Sequence, residues 1–262
     1  MTLGHIDISL TAISSRMGSI CQTLQSLLDQ DYDDLQVHLH LSKEPYLLDK
    51  GVPNLPADVA ALVAQSDGRL KVHYCRNIGP YRKLLPYLFR HWGQSKLVAT
   101  ADDDTIYPRH WLSTLAAAYQ SYGCVIAYRG HRILQREGVL APYRNWMRSQ
   151  IEENPGRLIL PTGKDGILYD TACFPINVLN VQDAMQIAPT ADDLWFRWHL
   201  CLNGIQTYLI NMDYRADTFS ETDYDSSLYL NFNHGGSNDA AIEALEAYFR
   251  KSFNFNIAAQ PA

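Results

Sequence analysis

Three consecutive aspartates, Asp102, Asp103 and Asp104, are the residues whose types and spacing most clearly suggest chemistry. They follow a short apolar run in the stretch LVATADDDTIYP, residues 97–108. Adjacent carboxylates repel one another, and a folded chain rarely tolerates them without a compensating cation. Capping of a helix that begins near Pro108 would explain one or two of the three. The triplet therefore predicts a site for a cation or a ligand.

The elements around the triplet show two alternating hydrophobic periods. Period two predicts strands at residues 6–13, 35–41, 70–74, 96–100 and 124–129. Helical spacing predicts helices at residues 18–30, 80–92 and 108–122. Strands that alternate with helices indicate a mostly parallel sheet covered on both faces, which is an α/β fold. Such sheets bind ligands beyond the carboxyl ends of their strands, and the triplet follows the fourth predicted strand.

The rest of the chain is less regular. Residues 42–68 and 131–165 predict loops with short helices, and later segments predict a helix at 190–204, a strand at 205–210 and a helix at 237–253. Asn238 is a candidate cap of the last helix. His38 and His40 lie on the face of the second strand opposite its apolar residues. Two such histidines suit a metal, but a polar sheet face is the simpler interpretation.

Composition limits the classes of protein to which the chain can belong. At 262 residues it fits one large domain, and its net charge of −6 argues against a nucleic acid partner. Five scattered cysteines without a CxxC pair predict free, buried thiols in a reducing compartment. The sequence shows no targeting signal at its start and no apolar run near the ~20 residues that span a bilayer. These features predict a cytoplasmic protein.

The triplet segment ATADDDTIYPRHWLSTL resembles the DxD segment of nucleotide-sugar-dependent glycosyltransferases of the GT-A fold, in particular the family 2-like bacterial group. Further segments agree in order and spacing, namely TAISSR (11–16), RNIGPYRKLLPYL (76–88), PTGKDGILYD (161–170) and PTADDLWFRWH (189–199). The resemblance covers residues 6–204. It implies a single Rossmann-like GT-A domain with a nucleotide-binding half, residues 1–130, and an acceptor-binding half, residues 131–262.

The resemblance implies roles for individual residues in a donor site. Candidates near the nucleotide are Thr11, Ser14, Arg16, Arg76, Asn77, Gly79, Lys83, Asp102 and Asp103. Asp102 would accept a hydrogen bond from the ribose. Asp104, with Asp102 and the late loop residue His234 as further ligands, would hold Mn²⁺ or Mg²⁺, since hard cations prefer carboxylate and phosphate oxygens and imidazole is a competent ligand for Mn²⁺. The metal would stabilise the leaving diphosphate.

The acidic pair Asp192 and Asp193 would supply the general base of an inverting transfer, with Asp193 as the base and Asp192 as its alternative or its orienting partner. A helix cap explains the pair equally simply, because first-turn carboxylates gain roughly 0.3–1 kcal/mol from the helix dipole. Trp195 and Trp198 would line an acceptor site or belong to the core.

The implied reaction moves a sugar from a nucleotide-diphosphate donor, a UDP-sugar above all, to a hydroxyl of a glycan or lipid-linked glycan. The setting would be the synthesis of bacterial surface polysaccharide or glycoconjugates, with peripheral membrane association left open. The loop PTGKDG departs from the family in having less glycine and no proline pair after its tyrosine, which leaves the sugar, the acceptor and the linkage open. The sequence does not indicate an oligomeric state.

Two other classes of protein stay open. DDDTI comes close to the DxDx[TV] signature of aspartyl-phosphate (HAD-like) phosphatases, with Asp102 as nucleophile and Asp104 as acid, but Ile106 occupies the Thr/Val position. Those enzymes usually carry the signature after their first strand, whereas three predicted strands precede it here. A non-catalytic sugar- or nucleotide-binding module that kept the fold is the third class.

Overall fold

The computed structural model describes residues 3–213, 218–222, 232 and 235–260. Its strands are β1 (Ile6–Thr11), β2 (Leu35–Leu41), β3 (Leu70–Tyr74), β4 (Leu97–Ala101), β5 (Thr105–Ile106), β6 (Val125–Ala127), β7 (Gly130–Arg132), β8 (Gln135–Arg136), β9 (Val139–Leu140), β10 (Ile159–Pro161), β11 (Ile167–Asp170), β12 (Thr207–Leu209) and β13 (Ser220–Glu221). Its helices are α1 (Ile20–Leu28), α2 (Ala57–Gln65), α3 (Leu85–Arg90), α4 (Trp111–Tyr122), α5 (Tyr143–Trp146), α6 (Val181–Ile187), α7 (Asp192–Leu202) and α8 (Ser237–Phe253).

Seven of the strands form one central sheet in the order β12-β6-β11-β4-β1-β2-β3. All neighbouring pairs are parallel except those of β11, which runs antiparallel to both β4 and β6. In the register of the central strands, Ile8 lies opposite Val37 on one side and Ala99 on the other. The predicted mostly parallel α/β sheet is confirmed. Strands from both halves of the chain contribute to it, because β11 and β12 follow residue 131.

Helices cover both faces of the sheet, as the alternating pattern predicted. The first face packs against α1, α2 and α4, with the buried residues Leu24, Leu27, Val59, Leu112 and Leu115. The second face packs against α3, α7 and α8, with the buried residues Leu85, Leu88, Trp195, Trp198, Leu245 and Phe249. Period-two alternation in β1 sends Ile6, Ile8 and Leu10 into the first of these cores. This arrangement leaves the carboxyl ends of β1 and β4 open beside each other.

The helix predicted over residues 80–92 is the main difference among the early elements. Residues Gly79–Lys83 form a 3-10 turn instead, and α3 follows as a short helix. Pro86 lacks the N–H that would bond the carbonyl of Arg82, so one continuous α-helix cannot form. Residues 131–165 also contain the short strands β7 to β10 beside α5. Asn238 does not cap α8, because it lies inside the helix and is buried.

The histidines of β2 do not lie on a solvated sheet face. Helix α3 covers this face, and Asp7 of β1 accepts hydrogen bonds there from Tyr87 at 2.5 Å and from His38 at 2.8 Å. His38 in turn lies 3.0 Å from His73, measured between ring nitrogens. Burial lowers the pKa of His40 to about 3, and the neighbouring rings of His73 and His38 add to this effect. The face is therefore polar but buried.

The prediction of free, buried thiols is confirmed for two of the five cysteines, whereas Cys21, Cys75 and Cys173 are partly exposed. All five cysteines are free thiols, of which Cys124 and Cys201 are buried. Among the described residues, none of the helices has both the length and the apolar character that crossing a bilayer requires.

Candidate functional site

A cavity of about 300 Å³ opens beyond the carboxyl ends of β1 and β4. Its walls are Thr11, Ile13, Arg16, Tyr46, Leu47, Leu48, Asp49, Gly79, Pro80, Arg82, Lys83, Asp102, Asp103, Asp104, Lys164 and Glu221. The whole acidic triplet lines this cavity, together with four basic residues from three separate segments. Parallel strands end at the same edge of a sheet, which explains why these segments meet there.

Basic side chains already face two carboxylates of the triplet. Asp102 forms an ion pair with Lys83, and Asp104 forms one with Arg16, which is 3% exposed. Asp103 lies 3.9 Å from the Arg16 guanidinium and accepts a hydrogen bond from the Ile13 N–H at 3.3 Å. Arg16 and Lys83 therefore supply part of the positive charge that three adjacent carboxylates need.

The charge of Asp103 is compensated less completely than that of its neighbours. Burial raises the pKa of its carboxyl to about 7, against the lowering effect of Arg16, and the carboxylates of Asp104 and Asp102 raise it further. Three carboxylates and two cations thus share one cavity wall, and a further positive charge would be favourable there.

Asp49 organises another part of the cavity wall and was not predicted from the sequence. It is buried and accepts hydrogen bonds from the Ser14 N–H at 2.9 Å, the Asn77 side-chain amide at 3.2 Å and Arg82 at 2.8 Å. Ser14 and Asn77, both predicted to contact the donor, do not line the cavity and hold this aspartate instead. A buried carboxylate needs several donors, and they come from segments more than 25 residues away in the chain.

Arg82, not Arg76, is the arginine of its segment that reaches the cavity. Arg82 is 1% exposed, and its Nε and Nη1 atoms have no hydrogen-bond partner within the described part of the chain. Arg76 is exposed and lies outside the cavity wall. Buried N–H donors without acceptors are costly, so this cavity is suited to an anionic ligand. The clue available from the sequence was the position of Arg82 directly beside Lys83.

Two further predicted donor-site residues, Thr11 and Gly79, do line the cavity. The Thr11 hydroxyl donates to the carbonyl of His40 at 2.8 Å, which fixes the end of β1 against β2. Gly79 has a φ of +60°, and a Cβ added there would lie 3.1 Å from the ring of Tyr46. Glycine therefore suits both the positive φ of the turn and the close approach of the ring.

The acidic pair at the start of α7 lies behind the cavity, across the loop that follows β10. Asp193 accepts a hydrogen bond from the Gly163 N–H at 2.9 Å, and Asp192 is 9% exposed. Burial raises the pKa of Asp193 to about 7, the neighbouring carboxylate of Asp192 raises it further, and Lys83 lowers it. Burial likewise raises the pKa of Asp192. A carboxyl that titrates near neutral pH is suited to proton transfer.

A late segment closes one side of the cavity. Strand β13 pairs with β5, which directly follows the triplet, and the Thr222 N–H donates to the carbonyl of Asp104 at 2.7 Å. Glu221 of β13 forms an ion pair with Lys164, and both line the cavity. Lys164 of the atypical loop PTGKDG therefore takes part in the cavity wall.

The tryptophans of α7 belong to the core and not to an acceptor site. Trp195 and Trp198 are both fully buried, and their indole N–H groups donate to the Val178 carbonyl at 3.0 Å and to Glu246 at 2.9 Å. Helical spacing placed them on the inner face of α7, which packs against α8. His234, predicted as a metal ligand, lies outside the described residues.

A metal ion needs several donor atoms that meet at one point. Within the described ranges, no three histidine, cysteine, aspartate or glutamate side chains are grouped so that they could hold a metal ion. Asp102 and Asp104 nevertheless present two carboxylates to one cavity, and Mg²⁺ commonly takes one or two carboxylates together with substrate phosphates and water. Asp104 already forms an ion pair with the Arg16 guanidinium. Asp102 and Asp104 are thus the described residues that could hold a hard divalent cation, with a diphosphate to complete its coordination.

Comparison with known proteins identifies the architecture. The chain is similar to S. aureus TarS 1-349 in complex with UDP-GlcNAc, with a TM-score of 0.54 and 15% identity over 97% of this chain and 74% of that chain. It is also similar to TarS 1-349 in complex with UDP, with a TM-score of 0.53 and 16% identity over 95% and 73% of the two chains. The fold is of the GT-A type. The predicted fold class is thereby confirmed.

Sequence comparison adds no closer relative. No protein-family model matches the chain, and no curated protein matches it. Identity near 15% establishes the fold alone, so the activity has to be inferred from the cavity and its side chains.

Proposed function

We propose that the protein is a glycosyltransferase that moves a sugar from a UDP-sugar to a hydroxyl of a glycan acceptor. The observation that carries this proposal is the cavity at the ends of β1 and β4, which the triplet shares with the buried Arg82, whose Nε and Nη1 atoms have no acceptor among the described residues. A nucleoside diphosphate is an anion that such a cavity would bind. UDP and UDP-GlcNAc are bound by TarS, which has the same fold.

The basic residues and the triplet carboxylates have different proposed roles in donor binding. Arg82, held by Asp49, offers buried N–H donors to the diphosphate. Arg16 would turn from Asp104 to the phosphates when a divalent cation binds that carboxylate. Asp104, with Asp102, would hold Mn²⁺ or Mg²⁺, and the ion would neutralise charge that develops on the leaving diphosphate.

Asp193 is the proposed general base. Its position behind the donor cavity, half-buried at the start of α7, suits a carboxylate that faces the acceptor and not the nucleotide. Burial, and after it the proximity of Asp192, keeps its proton affinity high enough to accept a proton near neutral pH. A base of this kind supports a single displacement, which inverts the anomeric centre.

The biological setting belongs to the same proposal. A glycan or lipid-linked glycan acceptor would place the protein in bacterial surface polysaccharide or glycoconjugate synthesis. The reaction would then take place in the cytoplasm, at the surface of a membrane when the acceptor is lipid-linked.

Binding and turnover test the proposal together. We expect UDP and one or more UDP-sugars to raise the melting temperature, more strongly with Mn²⁺, and UDP release from the bound sugar nucleotide to follow. Arg82→Gln should weaken UDP binding by about tenfold or more, the loss of a charge-assisted hydrogen bond. Arg76→Gln is the matched control and should bind as the wild type does.

Three outcomes would contradict the proposal. Equal loss in both arginine variants would mean that the cavity is not the nucleotide site. Binding without UDP release would favour a non-catalytic module, and vanadate-sensitive phosphate release without UDP binding would favour a phosphatase that uses Asp102.

A further inference from the structure

Lys83 occupies a position that neither its proposed donor contact nor simple surface basicity explains. It ends the 3-10 turn Gly79–Lys83, and its backbone carbonyl accepts a hydrogen bond from the Ser9 hydroxyl at 2.6 Å. This bond ties the turn to the interior of β1. The Lys83 ammonium is consequently held near the sheet, where it forms its ion pair with Asp102.

The same ammonium faces the acidic pair of α7 across Gly163. A Cβ added to Gly163 would lie 3.0 Å from Lys83 Nζ, 3.3 Å from Asp193 Oδ1 and 3.8 Å from Asp193 Oδ2. The two charged groups therefore both border the space beside the Gly163 Cα, while the Gly163 N–H donates to Asp193. Any side chain at residue 163 would separate them.

Around this space, carboxylates outnumber the single ammonium of Lys83. Asp102 approaches from the end of β4, and Asp192 and Asp193 approach from α7. Tyr81 of the 3-10 turn and Tyr169 of β11 also face the acidic pair, but their pKa values are raised well above the ordinary range by burial, so they stay neutral. Although burial lowers the pKa of Lys83, the three carboxylates raise it above its ordinary value. Lys83 thus stays charged.

We propose that Lys83 is a positioning residue for both halves of the reaction: it holds Asp102 for the donor and stabilises the negative charge of Asp193 for the acceptor. This role rests on the proposed function. In the transfer step, the acceptor oxygen bonds to the anomeric carbon while its proton moves to Asp193. The bond from that carbon to the diphosphate oxygen breaks, and its electron pair leaves with the diphosphate.

The ammonium contributes to the state of the base before this step. Two adjacent buried carboxyls tend to retain a proton, and a nearby cation opposes that tendency. Lys83 would therefore lower the pH at which Asp193 ionises. Because the same cation contacts Asp102, the donor carboxylate and the base are held in a fixed relation by one side chain.

The test is a titration of the full chain without substrate. Aspartate labelled with ¹³C at Cγ is followed by NMR from pH 4 to 9, and Asp193→Asn identifies the resonance of Asp193. In Lys83→Met the midpoint of that resonance should rise by about one pH unit or more. Lys83→Arg should restore it, and Lys71→Met, an exposed lysine of β3, should leave it unchanged. An unmoved midpoint in Lys83→Met would overturn the proposal.

A second variant protects the test against misfolding. If Lys83→Met loses its far-ultraviolet circular dichroism, Gly163→Ala replaces it, because a methyl group there separates Nζ from the Asp193 carboxylate. Its midpoint should also rise, and an unmoved midpoint counts against the proposal in the same way.

Turnover supplies the second readout. With UDP-GlcNAc, or the UDP-sugar that gives the largest thermal shift, Lys83→Met should lower kcat for UDP release as well as raise the donor KM. A loss confined to the donor KM would make Lys83 a donor residue only. A wild type that releases UDP from no sugar nucleotide contradicts the proposed function itself, whereas an active enzyme with an unmoved titration contradicts only the role of Lys83.

Discussion

At the scale of single residues, the ion pair between Arg16 and Asp104 changes what removal of a triplet carboxylate should do. Repulsion within the triplet suggests that Asp104→Asn is harmless or stabilising. In the structure, however, Arg16 is buried and would lose its ion pair with Asp104, while the Asp103 carboxylate lies farther from its guanidinium, at 3.9 Å. We expect Asp104→Asn to lower the free energy of unfolding by about 1–3 kcal/mol.

The same variant should abolish the tightening of UDP binding by Mn²⁺. Urea denaturation and calorimetric titration of UDP with and without Mn²⁺ measure the two effects. Asp33→Asn, an exposed aspartate between α1 and β2, is the control and should change neither. UDP binding that still tightens with Mn²⁺ in Asp104→Asn would show that the metal is held elsewhere.

Asp193 should matter for turnover and not for donor binding. Asp193→Asn is expected to bind UDP as the wild type does and to lose at least about 10²-fold in turnover, the low end for loss of a general base. Wild-type turnover should rise with pH through about 7, because the raised pKa leaves the carboxyl protonated below that value. Initial rates of UDP release between pH 5 and 9 measure both effects.

Asp192→Asn provides the comparison within the pair. It should cost less than Asp193→Asn and move the acid limb of the rate profile to lower pH, because the neighbouring charge that raises the pKa of Asp193 is gone. Near wild-type turnover in Asp193→Asn would mean that the pair only caps α7.

At the scale of elements, the turn before β11 is sensitive to a single added methyl group. Gly166 has a φ of +107°, and a Cβ there would lie 2.6 Å from the buried ring of Trp111 in α4. The Trp111 indole also donates to the Asp165 carbonyl at 2.7 Å, so the ring cannot move away freely. We expect Gly166→Ala to lower the free energy of unfolding by about 2–4 kcal/mol, the sum of backbone strain and overpacking.

Gly138 is the matched control, because it too has a positive φ, +78°, but has no atom within 4 Å of an added Cβ. Gly138→Ala should cost only the strain, about 1–2 kcal/mol. Equal losses in urea denaturation of the two variants would mean that Trp111 yields to the methyl group.

At the scale of the whole molecule, buried histidines on several elements should couple stability to pH. Burial lowers the pKa of His40 to about 3 and those of His131 and His199 to about 4. Each binds a proton in the unfolded chain below about 6.5 but not in the folded one, so each reduces stability as the pH falls. The carboxyls of Asp103 and Asp193, whose pKa values are raised, have the opposite effect on stability over the same pH range: they increase it as the pH falls.

Substitution of His40 separates its contribution to the pH dependence of stability from those of the other groups. As the pH falls from 6.5 to about 4, the free energy of unfolding of His40→Gln should rise relative to that of the wild type. The expected rise is up to about 1.4 kcal/mol per pH unit. Urea denaturation at several pH values measures the difference, and His110→Gln, an exposed histidine, is the control. A difference that does not change with pH would mean that His40 stays solvated.

The sequence by itself determined the features that depend on neighbours in the chain. Apolar alternation identified the strands around the triplet, and helical spacing identified α1, α4, α7 and α8. A strand followed by a helix also placed Asp102 to Asp104 at a ligand-binding edge, because parallel strands end there. These signals are local, since each is carried by a few consecutive residues whose pattern repeats with the period of the element.

Only the tertiary structure decided which charges meet. Arg16 and Asp104 are 88 residues apart, and Arg82 and Asp49 are 33 apart. Strand β11 was missed for the same reason, because its four residues become a central strand only between β4 and β6. Partners across such distances are chosen by the packing of the whole sheet, which brings segments together without any mark in the sequence between them.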